Sequence, residues 1–227
     1  MPIGYILLIA VTLLIVFGVA QRVLDRMRLT DRQALLFVAA IFVGGLIPDI
    51  QLGRVQVNIG GALVPLALCI YLFVKADTAK ERWRSIFASV LSGAAVFGVG
   101  RLWPAEPSTM PFEVNYIYGL VAGFIAYLFG RSRRAAFIGG VVGVLLGDAT
   151  QGILNTFNGL TATPIRFGGG GAMDVVVISG LLAVLLAEVI GEVRERLQGG
   201  SAKRGEYEFD DGEFVPAKQG GPHDDEE

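Results

Sequence analysis

The chain has 227 residues, of which 53% are hydrophobic and only 18% charged, with 31 glycines and a formal charge of −2. A soluble domain carries about a quarter charged residues; here the apolar residues run in long blocks with the charges between them, which excludes an ordinary water-soluble domain. Cys69 is the single cysteine and His223 the single histidine, which excludes a disulfide framework, a thiolate metal cluster, a histidine-ligated zinc site and Ser–His or Cys–His chemistry.

No basic stripe points to nucleic acid, and no cofactor is expected. About 20 helical residues cross the hydrocarbon core. The first apolar block, residues 3–20, ends in Gly18-Val19-Ala20, a sequence that could suit a signal peptidase. No basic segment precedes it, however, and Arg22, Arg26, Arg28 and Arg32 follow, so it reads as a retained anchor. Further blocks cover residues 34–47, 60–74, 85–100, 116–129, 135–157 and 173–190. The expected fold class is therefore an all-α integral membrane protein of about seven transmembrane helices.

The loops carry a sidedness signal. One alternating set, with the C-terminal tail, holds sixteen Lys and Arg residues. The other holds Arg54, Arg101 and Arg166. Positive charge accumulates in the cytoplasm, so a multi-pass protein of the cell membrane is expected, with its N-terminus outside and its C-terminus inside. The outer loop at residues 101–115 carries Trp103 and several prolines, which suits the interface. A helical bundle over residues 1–193 leaves 194–227 as a disordered acidic cytoplasmic tail, with ten of the 21 acids and too few apolar residues to fold alone. The partners implied are the lipid bilayer and a cation or proton; a homo-oligomer stays open.

Three acids interrupt apolar sequence on the outer side: Asp49, Asp148 and Asp174. At about 1.5 Å rise per residue, a helix continuing from Ala34 puts Asp49 roughly 22 Å along. Asp148 falls roughly 20 Å from Ala135 by the same rule. A charge at mid-membrane is costly, and such residues face a bundle interior or a wet cavity. Gln151 and Asn155 follow Asp148 at i+3 and i+7, one helix face. Asp49 has Gly45 and Gly53 four residues to either side, a spacing that lets another helix approach.

The segments 51–59 and 161–172 resist a helical reading. Val55-Gln56-Val57-Asn58-Ile59 alternates, and Thr163-Pro164 with Gly168 to Gly171 breaks any helix. Short non-helical outer hairpins are expected there, since such backbone at membrane depth lines a cavity or is buried in protein. Phe42-Val43-Gly44-Gly45, Asp49-x-x-x-Gly53 and Val57 to Ala62 are echoed by Phe137-Ile138-Gly139-Gly140, Asp148-x-x-x-Gly152 and Phe167 to Ala172. That is the pattern of a parallel internal repeat, which would bring Asp49 and Asp148 towards one another on facing helices.

Gly45-Leu-Ile-Pro-Asp49, Val57-Asn-Ile-Gly-Gly-Ala-Leu-Val-Pro65 and Gly147-Asp148 together resemble a family of bacterial and archaeal multipass membrane proteins of unknown function. The resemblance covers about residues 1–195 and implies no activity. The Gly-x-Gly-Asp pattern of presenilins and prepilin peptidases is not met, because Leu145-Leu146-Gly147-Asp148 lacks the first glycine.

Three functions compete. One is a carboxylate-lined site for a cation or proton in a transport-like protein, with Asp49, Asp148 and Asp174 as acids and Gln151, Asn155 and Asn58 as neutral ligands. Another is a non-catalytic membrane scaffold. The third is an aspartyl intramembrane protease with Asp49 and Asp148 as the catalytic candidates, two carboxyls sharing a proton to activate water. Whether the protein is an enzyme, and whether it binds a metal, stays open in the sequence.

Overall fold

The computed structural model describes residues 3–102, 114–130, 132–159, 164–169, 175–197, 207–210 and 213–216. Among these are eight α-helices: α1 (Ile3–Val16), α2 (Gln21–Met27), α3 (Asp31–Leu46), α4 (Val64–Val74), α5 (Ala79–Leu102), α6 (Val114–Gly130), α7 (Arg133–Phe157) and α8 (Val175–Leu197). Short strands β1 (Ile50–Leu52) and β2 (Val55–Val57) separate α3 from α4, and β3 (Ile165–Phe167) separates α7 from α8. Residues 1–188 form one compact unit and 189–227 another. The second contains an antiparallel hairpin of β4 (Tyr207–Asp210) and β5 (Glu213–Pro216), in which Phe209 faces Phe214 in register.

Seven spans is too many. Among the described residues three helices are long and apolar enough to cross a membrane: α5, α7 and α8 over Val175–Val193. The pair α1 and α2 makes a fourth only if its 98° bend lies within one span. The sequence reading counted apolar residues and ignored the breaks between them. Gly18, at φ +72°, turns the chain out of α1. Pro48 pushes Ile47 into an extended conformation (φ −81°, ψ 139°) and ends α3 after 16 residues. α4 has 11 residues, preceded by a π-helical turn at Ile59–Leu63. The aromatic outer loop lies mostly outside the described residues.

Helix contacts rest on small residues, which let backbones approach where burial from water supplies no drive. α7 is central. A Cβ on its Gly139 would press on Ala88 of α5 and Ala126 of α6, and one on Gly140 would meet the backbone of Ser179 and Gly180 in α8. Ser92 donates across to Ala122 O (3.2 Å) and Ser89 to Ile138 O (3.4 Å). Outward faces stay apolar: Ile86, Phe87 and Val90 of α5 are exposed, as are Leu36 and Val43 of α3. An apolar girdle of this kind requires a non-aqueous surround.

The three strands form one sheet in the order β1-β2-β3. β1 and β2 make an antiparallel hairpin, closed by a two-residue turn that begins with Gly53 at φ +62°. β2 pairs in parallel with β3, Val55 opposite Ile165 and Val57 opposite Phe167. Gly53 is thus a turn glycine with no neighbour within 4 Å, not the helix-packing glycine its spacing suggested.

Candidate functional site

The sheet gathers the polar residues of one end of the molecule. Asn58 follows β2, is buried at 4% exposure, and caps the π-helical turn. Its backbone N–H donates to Phe167 O in β3 (3.0 Å), and its side-chain Oδ1 accepts from Gly61 N–H (2.9 Å). That second bond fixes the amide's orientation. Only Nδ2 remains to face outward from the cap, and it donates to Asp49 Oδ1 at 2.9 Å. Among the described residues Asn58 is the one hydrogen-bond partner of Asp49. Asn58 Nδ2 is a donor only, so Oδ1 of Asp49 accepts in this bond.

Asp49 does not stand on a helix, as the spacing from Ala34 had implied. It lies in the turn between α3 and β1, half-buried, because Pro48 has already ended α3. Asp148 does stand on a helix, half-buried on α7, so the two acids are not on facing helices. Gln151 Nε2 donates to Asn155 Oδ1 (2.7 Å), an i,i+4 pair on that helix. One turn beyond Asp148, Gly152 packs under Ile165 of β3, where any Cβ would overlap the isoleucine side chain. Asp174 lies outside the described residues. Among the described residues no three His, Cys, Asp or Glu side chains group as a metal site. The oxygen donors at this end suit a proton or a hard cation better than a thiophilic metal.

Close backbone contact holds the site together. A Cβ at Gly60 would overlap the backbone of Ile41 and Gly45, and one at Gly61 would overlap Gly168. Gly60 therefore packs on the Gly44-Gly45 pair of α3, and Gly61 packs on Gly168, which follows β3.

The opposite end holds a cluster that sequence reasoning missed. Arg134, 8% exposed, donates to Asp77 Oδ2 (2.6 Å) and Lys75 O (2.7 Å), and its Nε lies 3.3 Å from Glu81. Ser132 donates to Glu81 (2.7 Å), Arg28 pairs with Asp77, and Arg133 pairs with Glu188 (2.7 Å). The Arg134 guanidinium holds the Asp77 carboxyl below its ordinary value; burial opposes this, and the charges of Arg134 and Arg28 reinforce it. One signal was legible. Arg133 and Arg134 occupy the first turn of α7, where the helix dipole disfavours cations, so acidic partners were required.

The basic connections between helices thus meet at one end of the bundle; at the sheet end Arg166 stands opposite Gln56, and Arg54 O in the hairpin turn accepts from Ile165 N–H (2.9 Å). Apolar outward faces, small-residue helix contacts and three to four candidate spans together define a multi-pass helical membrane protein. Residues 16–186 match the family described as "Protein of unknown function (DUF1614)", and the chain belongs to that family. No curated protein and no solved structure matches it.

Proposed function

We propose that the sheet end is a binding site for a proton or a small hard cation, formed by Asp49 and Asp148 with Asn58, Gln151 and Asn155 around them, in a protein whose basic end faces the cytoplasm. The observation that carries this reading is the Asn58–Asp49 hydrogen bond at the π-helical break. It fixes one carboxylate oxygen and leaves the other for a ligand, beside irregular backbone of the kind that lines ion sites in membranes. The path from Asp49 through Asn58 and β3 to Gly152, one turn from Asp148, supports a common site for both acids. A parallel internal repeat accounts for the matching Asp-x-x-x-Gly segments. The cytoplasmic assignment rests on the excess of basic residues at that end.

The test is thermal unfolding of the full-length protein in detergent, with sodium or lithium replacing choline and across acid to neutral pH. The cation or the proton stabilises the wild type, and Asp49→Asn and Asp148→Asn each fold but lose that response. Full retention of the response in both variants contradicts the reading and favours the scaffold, to which the wholly satisfied cap formed by Asn58 already lends itself.

A further inference from the structure

The bundle holds a second feature, independent of the acids. A cavity of about 260 Å³ lies among α1, α2, α3, α4, α7 and α8. Its lining is apolar except for Glu188, which pairs with Arg133. On α8 it is bordered by Val177, Leu181, Val184 and Glu188, a stripe of eleven residues' rise, roughly 16 Å long. An apolar void of about 150 Å³ already stays dry and takes up an apolar guest. This one is larger and elongated, so water is a poor occupant and a chain-shaped guest fits.

The mouth supplies the second half of the argument. α2 bends 98° away from α1, the attitude of a helix lying along a membrane interface. Its Val23, Leu24 and Met27 line the cavity, while Arg22 and Arg26 are on its exposed face. An apolar slot roofed by a basic interfacial helix matches an amphiphile with an alkyl chain and an anionic head. We infer that this cavity binds one acyl chain of an anionic phospholipid, with the lipid phosphate held at Arg26.

Native mass spectrometry of the full-length protein, exchanged into detergent with equal palmitoyl-oleoyl phosphatidylglycerol and phosphatidylcholine, tests this. The wild type retains one phospholipid, predominantly phosphatidylglycerol. Val38→Trp, which fills the cavity from α3, loses it, whereas Val90→Trp on the outward face of α5 does not. Arg26→Gln, an exposed change that leaves the core untouched, keeps a bound lipid but loses about fivefold of the preference for the anionic head, the effect of one interfacial arginine. Equal retention by Val38→Trp and Val90→Trp means lipid bound only to the outer surface and overturns the inference. An unchanged preference in Arg26→Gln overturns the assignment of the head, and wild type free of lipid overturns the whole.

Discussion

The two ends of the bundle treat charge in opposite ways. At the basic end every named charge meets a counter-charge: Arg134 with Asp77 and Glu81, Arg28 with Asp77, Arg133 with Glu188. At the sheet end Asp49 meets an amide, and the amide is itself tied to backbone. A charge matched by counter-charges from other elements joins the elements that carry it. A carboxylate held through one oxygen beside irregular backbone keeps the other for a ligand. The difference separates a structural clamp from a candidate site, although both are clusters of polar residues in an apolar chain.

Breaking the clamp has the largest effect. Arg134→Met leaves Lys75 O and Glu81 without their buried partner, and each buried polar group so orphaned costs about 1–3 kcal/mol, more where it is charged. Thermal melting in detergent reads this as a large drop, and a change within error denies that the clamp holds the helices together. At the sheet end, Gly60→Ala pushes a methyl into the backbone of α3, an overpacking worth about 3 kcal/mol. Denaturant titration measures it, with Gly98→Ala, which meets nothing within 4 Å, as the silent control.

Asn58→Ala removes a cap and leaves Gly61 N–H unsatisfied, a loss of about 2 kcal/mol. It also frees Asp49, so the variant unfolds earlier and loses ligand response together; loss of stability alone assigns Asn58 to the cap only. The smallest effect belongs to Asp77. Its carboxyl is held below the ordinary value of 3.8, so its contribution is fully present above that pH and is lost as pH falls through the lowered value. Asp77→Asn removes this part of the acid sensitivity and little else. A melting-temperature profile unchanged below pH 4 between the two proteins counts against the pairing.

Much of the sheet end was legible from local sequence. The Asp148, Gln151 and Asn155 stripe follows from helical spacing, and Gln151 and Asn155 do bond. The alternation at Val55 to Ile59 and the proline and glycines near residue 165 announced non-helical backbone, which β1, β2 and β3 supply. Pro48 was equally visible, yet the apolar run around it hid its consequence for Asp49. Apolar composition alone also produced seven spans, because hydropathy does not register where a helix stops. Other features depend on contacts far apart in the chain. The parallel pairing of Val55 with Ile165, the Arg134 cluster and the cavity roofed by α2 each need segments that no local pattern links.

The central claim is that Asp49 and Asp148 serve one ligand, and a double-mutant cycle tests it most directly. Ligand-dependent stabilisation is measured for wild type, Asp49→Asn, Asp148→Asn and the double variant under one set of conditions. Residues of one site do not add, so each single variant should abolish the response and the double variant should lose nothing more. Half-losses in the single variants that sum in the double variant would mean two independent acids, and the common site would be wrong.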